Sequence, residues 1–188
     1  MNSTELKYIE NIKSEFKYYK SVGDKTFIQL SETDLFWQFN KESNSIAIIV
    51  NHLYGNMKSR WTDFLTSDGE KAWRQREQEF ELVIKSKSEL LSKWEEGWLV
   101  LFAALETVNI YNFQTKIYIR NQEHSIFGAC NRQLAHYAYH IGQITYIAKM
   151  IKGSQWTSLT IPKGQSKIFN EGKISKGKHD GHFSDDLK

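Results

Sequence analysis

The sequence is poor in cysteine, proline and glycine. Its 188 residues include one cysteine, one proline and eleven glycines. A single cysteine excludes an intrachain disulfide and a zinc cluster built on several thiolates, which favours a reducing cytoplasm. Because helix-breaking residues are so few, most of the chain is free to form long helices.

Long apolar runs and concentrated charge are missing as well. No segment approaches the roughly 18 uncharged apolar residues of a membrane span, and the first residues, MNSTELKYIENIKSEF, include acidic side chains and no continuous apolar block. The net charge is only +3, and the lysines are interleaved with glutamates rather than gathered on one face. We therefore expect a cytoplasmic protein that binds neither membranes nor nucleic acids.

Apolar residues recur at steps of three and four in four segments, which predicts four amphipathic helices. Ser43, Asn44 or Ser45 is available as the N-cap of the second helix, and Gly153 is placed to end the fourth. The core candidates of the third helix include Leu82, Leu90, Trp94, Leu101 and Leu105. The predicted helices cover residues 3–30, 44–65, 75–106 and 125–152.

The segments outside these helices complete the predicted architecture. NIYNFQTKIYIRNQEHS is rich in β-favouring residues and predicts a short extended excursion or hairpin before the last helix. The chain length suits one domain, and the short connections predict an all-α four-helix bundle over residues 1–155. We expect residues 156–170 to pack on the bundle in extended form and the polar residues 171–188 to form a disordered tail. The aromatic content of 14% exceeds what four helices need to bury, so we also expect a homodimer.

Histidines are the clearest candidates for chemistry. In QLAHYAYHIGQI, His136 and His140 lie one helical turn apart, so both can bind one ion. His52, in VNHLYGNM, has a similar position on the second helix, beside its apolar stripe. Packing of the two helices can gather three imidazoles around an open coordination position, which suits zinc, nickel, iron or copper. Histidines beside an apolar stripe also serve as surface or packing residues, and spacing alone leaves both interpretations open.

Other polar residues have less specific patterns. Gln143 shares the face of the histidine pair, where it either contacts the site or is solvated. Cys130 falls in the apolar stripe of the fourth helix and is interpreted as a core residue. His124 lies in the connection before that helix, where we expect no metal role.

Two further sets of polar residues are interpreted as ordinary surface features. His179 and His182 lie in the expected tail and would bind metal only weakly. Arg74, Arg76 and Glu77 are interpreted as a solvated face rather than a substrate clamp. The sequence has no glycine-rich phosphate loop and no serine-elbow motif.

His52 in NHLYGNM, together with the pair in HYAYHIGQI, resembles the metal-binding pattern of the DinB-like, or YfiT-like, four-helix-bundle proteins. The resemblance covers roughly residues 1–155, and the segments DGEKAWRQREQEF and SLTIPKGQSKIFN are similar to an uncharacterised branch of that superfamily. It implies that His52, His136 and His140 hold one divalent ion, with zinc or nickel expected.

The activity implied by the resemblance is metal-dependent transfer of a low-molecular-weight thiol. Some DinB-like relatives use the metal in this way, because a coordinated thiol loses its proton and becomes a nucleophile. The same three ligands would also suit a metal-dependent hydrolase. A third interpretation is a non-catalytic dimeric protein with a structural metal. An open coordination position that faces a cavity would favour an enzyme over the structural alternative.

Overall fold

The computed structural model of the protein describes residues 4–178 and 180–186. Within these residues the chain is mostly helical, and its only sheet has two strands. The α-helices are α1 (Thr4–Ile28), α2 (Glu32–Leu35), α3 (Ile46–Trp61), α4 (Lys87–Glu106), α5 (Ile126–Lys152) and α6 (Ser166–Ser175). The strands are β1 (Lys116–Ile119) and β2 (Gln122–Ser125), and short 3-10 helices cover Glu77–Phe80, Gly153–Gln155 and Phe183–Asp186.

Three of the four predicted helices form where the apolar stripes placed them, as α1, α3 and α5. Ser45 is the N-cap of α3, since its hydroxyl accepts a hydrogen bond from the backbone N–H of Ile48. Gly153 ends α5 with a φ of 51°, a conformation that favours glycine. The predicted hairpin before the last helix is also confirmed, as the antiparallel pair β1–β2. The mostly helical class is therefore confirmed, while the DinB-like bundle stays a prediction.

The third predicted helix, residues 75–106, is wrong in its first part. The helix α4 begins only at Lys87, because the hydroxyl of Ser86 caps it by accepting the backbone N–H of Glu89. The Glu89 carboxylate in turn accepts the backbone N–H of Lys85, so the chain turns sharply at this point. The preceding residues form a 3-10 turn that packs along α3 instead of extending α4.

This shorter helix changes one predicted core residue. Leu82 lies before α4 and is 41% exposed. The other predicted core residues of the third helix lie within α4 and are buried, namely Leu90, Trp94, Leu101 and Leu105.

The four long helices α1, α3, α4 and α5 surround one aromatic core. α3 contacts both α4 and α5, and α1 contacts the same two helices. Phe16 from α1 lies edge-on to Trp61 of α3 and Trp98 of α4. Cys130 of α5 is fully buried, as predicted, and burial raises the pKa of its thiol to about 12. The thiol is therefore neutral near pH 7 and is not a candidate nucleophile.

The residues after α5 differ from the expected form. We expected an extended segment through residue 170 and a disordered tail beyond it, but α6 spans residues 166–175. Further along, the Phe183 ring packs edge-on against Tyr18 of α1. His179 lies outside the described residues. None of the described helices has the length and apolar character needed to cross a membrane.

Candidate metal centre

The structure brings His52, His136 and His140 together where α3 meets α5. One nitrogen from each ring lies within 4.8 Å of the others. The Nε2 atom of His136 is 3.2 Å from Nε2 of His52 and 3.1 Å from Nε2 of His140. The pair on α5 is one turn apart, and α3 supplies the third ring from the opposite side. The arrangement is a cluster of three donor atoms that could hold a metal ion.

A buried hydrogen-bonded network fixes α3 against α5 beside this cluster. The hydroxyl of Tyr137, the residue after His136, donates to Oδ1 of Asn56 over 3.0 Å and accepts from Nε1 of Trp61 over 2.9 Å. Asn56 follows His52 by one turn of α3. Because Tyr137 is fully buried, these two bonds hold the two helices in register at the histidines.

His52 is more enclosed than its sequence position suggested. We expected it on the border of the core, but only 4% of its surface is exposed, while His136 and His140 are half-buried. The residues before α4 cover it, and the ring of Phe80 stacks on the imidazole with 4.7 Å between centroids. Both errors of prediction therefore have one cause. The segment before α4 was expected to extend that helix, whereas it covers His52.

Two hydrogen-bond acceptors orient two of the three imidazole rings, those of His52 and His140. Nδ1 of His52 is 2.9 Å from Oε2 of Glu79, and Nδ1 of His140 is 2.8 Å from Oε1 of Gln143. Since these oxygens accept hydrogen bonds, each Nδ1 carries the proton and the Nε2 lone pairs are left free. The lone pairs on Nε2 of His52 and His140 both face Nε2 of His136, at 3.2 and 3.1 Å, where either a proton on that nitrogen or a cation between the rings would offset their repulsion. The donor set therefore fits a divalent cation bound by neutral imidazoles.

Glu79 is itself held by a buried arginine. Its two carboxylate oxygens accept hydrogen bonds from Arg74, from Nε over 2.6 Å and from Nη2 over 2.8 Å. Burial of the carboxyl opposes ionisation, but the bonds from Arg74 and His52 keep the pKa of Glu79 below its usual value. The interpretation of Arg74 as part of a solvated face is wrong, since its side chain is 2% exposed. Arg76 and Glu77 are exposed.

The environment keeps two of the rings neutral. Burial lowers the pKa of His136 to about 3, and positive charge on His140 or His52 would lower it further. Burial also lowers the pKa of His140, against the opposing hydrogen bond to Gln143. Neutral imidazole is the form that binds a metal, so no proton has to be displaced from these rings at pH 7.

The remaining described histidines lie outside the cluster, whereas Gln143 is in contact with it. His124 lies outside the cluster and hydrogen-bonds to Arg132, and His182 is 3.2 Å from the Glu15 carboxylate. Gln143 contacts the site, through His140.

Sequence reasoning missed Glu79, because nothing in its spacing relates it to residues on α3. The capping pattern of Ser86 was the available signal, since it separates this segment from α4.

Comparison with known proteins gives a family. A family model described as "Protein of unknown function (DUF1572)" matches residues 3–165. This span is most of the chain, which therefore belongs to that family. No curated protein and no solved structure matches the chain.

Proposed function

We propose that this member of the DUF1572 family, as a DinB-like protein, binds one divalent metal ion through His52, His136 and His140. The observation that carries the proposal is the convergence of three Nε2 atoms, with the His52 ring oriented by Glu79 and the His140 ring by Gln143. Imidazole ligands suit zinc, nickel, iron and copper, and the resemblance to DinB-like proteins favours zinc or nickel among them. Zinc, nickel and iron content of the protein, purified without a histidine tag, is the direct test, and about one ion per chain is expected.

An enzyme is favoured over a structural metal site. Among the described residues no fourth histidine, cysteine, aspartate or glutamate joins the cluster. A cavity of about 220 Å³ lies beside it, lined by His52 and His136 among others. Structural zinc sites are usually closed by four protein ligands, whereas catalytic sites keep a position for substrate. The cavity therefore supports access of a small molecule to the ion.

Transfer of a low-molecular-weight thiol is the reaction we propose. When bound, the ion supplies Lewis acidity, which favours the thiolate form of a coordinated thiol. The thiol sulfur bonds to an electrophilic carbon, and the thiol proton leaves with the displaced group. The assay measures thiol consumption with chlorodinitrobenzene before and after chelation. Hydrolysis of an activated ester without thiol consumption would replace this proposal with the hydrolase alternative.

Glu79→Ala is expected to weaken metal affinity about 10- to 100-fold, as residues that orient metal-binding histidines commonly do. The substitution removes the acceptor at Nδ1 of His52. Glu79→Gln, which keeps an acceptor oxygen without the charge, should weaken affinity less. Titration with zinc against a competing chelator measures both values.

The control for this prediction is Glu77→Gln. Glu77 is exposed and lies two residues from Glu79 in the same 3-10 turn. The zinc affinity of the Glu77→Gln variant should therefore match that of the unmodified protein. Circular dichroism of each variant separates lost affinity from lost folding. Equal zinc affinity for Glu79→Ala and the unmodified protein would show that this carboxylate has no role in the site.

A homodimer remains part of the proposal. Exposed aromatic residues on α5 support it, since Tyr139 and Tyr146 are 64% and 65% exposed and lie two turns apart. Light scattering is expected to give a dimer mass at micromolar concentration, and a monomer mass across that range would contradict the prediction.

A further inference from the structure

The cavity beside the histidines has an unusual lining. All five arginines of the chain line it, although arginine supplies only five of the 25 lysine and arginine residues. None of the nineteen lysines that the structure describes does. The arginines come from four separate parts of the chain: α3, the segment before α4, the β1–β2 turn and α5. In order along the chain they are Arg60, Arg74, Arg76, Arg120 and Arg132.

Carboxylates of the protein neutralise only part of this charge. Glu70 pairs with Arg60, Arg74 and Arg120 at 3.1, 3.1 and 3.3 Å, and Glu79 pairs with Arg74. Two ion-paired carboxylates against five guanidinium groups leave three positive charges, and the nearby carboxylate of Asp68 reduces this excess to two. Asp68, which lies nearby, accepts backbone N–H bonds from residues 120 and 121.

Two of the five arginines carry no ion pair within the part of the chain that the structure describes. Neither Arg76 nor Arg132 lies within salt-bridge distance of a described carboxylate, and a nitrogen of Arg132 contacts Nε2 of His124 instead. Both residues are exposed and line the cavity. An anion that enters the cavity meets charge that the protein has not already neutralised.

Two buried polar atoms beside the cavity have no partner among the described residues, and one of them favours an anion. Arg60 is 6% exposed and Gln133 is 4% exposed, and both line the cavity. Nε of Arg60 and Oε1 of Gln133 have no hydrogen-bond partner within the part of the chain that the structure describes. Leaving a buried polar atom without a partner is costly, so such atoms mark places where another molecule supplies the partner. Nε of Arg60 requires an acceptor, which an oxyanion provides, whereas Oε1 of Gln133 requires a donor such as water or a hydroxyl group.

We propose that this cavity binds the carboxylate or phosphate group of a small substrate whose reactive end reaches the three histidines. Guanidinium groups match oxyanions through paired N–H donors, which lysine does not offer. His52 and His136 line the same cavity, so an anion held by Arg76 and Arg132 lies next to the proposed metal position. A volume of about 220 Å³ suits the charged end of a small molecule. The inference rests on the proposed function for the role of the histidines, whereas the anion site is tested separately.

Calorimetry on the zinc-loaded protein tests the site with two thiols of similar length. 3-Mercaptopropionate carries a carboxylate, and cysteamine carries an ammonium group. We expect the carboxylate thiol to bind at least tenfold more tightly. Malonate and inorganic phosphate, titrated in parallel, establish whether carboxylate or phosphate is the preferred oxyanion.

The variants Arg76→Gln and Arg132→Gln remove the two arginines that hold no carboxylate, so folding should be unaffected. Each is expected to reduce the preference for 3-mercaptopropionate at least fivefold, and the double variant to abolish it. Lys149→Gln, which makes the same change of charge at an exposed position of α5, should retain it. Equal binding of the two thiols, or an unchanged preference in the double variant, would overturn the inference.

Metal content separates this inference from the proposed function. The arginine variants should bind as much zinc as the unmodified protein, because they supply no ligand. If the protein binds no zinc, the proposed function fails. Malonate and phosphate titrated into the metal-free protein then still test the arginine site. Anion binding that is lost in the double variant would support the inference, and a lack of binding to the unmodified protein would overturn it.

Discussion

His136→Ala is expected to bind less than a tenth of the metal that the unmodified protein binds at neutral pH. Nε2 of His136 lies 3.2 Å from Nε2 of His52 and 3.1 Å from Nε2 of His140, so its removal leaves only two of the three ligands. Two imidazoles alone make a poor site. The fold should persist, because His136 is half-buried and the adjacent Tyr137 network remains. Elemental analysis and circular dichroism measure the two outcomes.

His124→Ala is the matched control for metal content. His124 is half-buried like His136 but lies outside the cluster, so the variant should keep about one ion per chain. His52→Ala should lose the ion as His136→Ala does. Full metal content in His136→Ala would show that the three-histidine assignment is wrong and that HYAYH is an ordinary helix surface.

Gly23→Ala is expected to destabilise the protein by about 1–3 kcal/mol or more through overpacking. A Cβ atom at position 23 of α1 would lie 2.3 Å from Cζ2 of Trp94, which is far inside van der Waals contact. The indole cannot move away easily, since it is 2% exposed and its Nε1 donates to Asp24 over 2.6 Å. Thermal unfolding should show a melting temperature lower by several degrees.

Gly142→Ala provides the opposite result from the same substitution. Gly142 lies inside α5, and a Cβ there would meet no atom within 4 Å. Alanine in an open helix interior stabilises by about 1 kcal/mol relative to glycine, so its melting temperature should rise. A similar loss of stability in both variants would contradict the explanation by contact with Trp94.

The sequence by itself determined three of the four long helices and pointed to the three histidines that the structure brings together. Apolar spacing, a serine N-cap and Gly153 defined α3 and α5 to within a few residues, because helix periodicity and capping are local properties. The pair His136 and His140 was predicted because a separation of four residues in a helix is about one turn. His52 was chosen because it occupies a similar position on its own helix and because of the resemblance to a known family.

Only the tertiary structure decided what surrounds the histidines. Glu79 and Arg74 reach the site from an irregular segment that has no apolar period, so their roles depend on how that segment lies across α3. The five arginines are up to 72 residues apart, from 60 to 132, and no local pattern relates them. Contacts between distant parts of a chain are set by packing of the whole core, which spacing along a single helix does not encode.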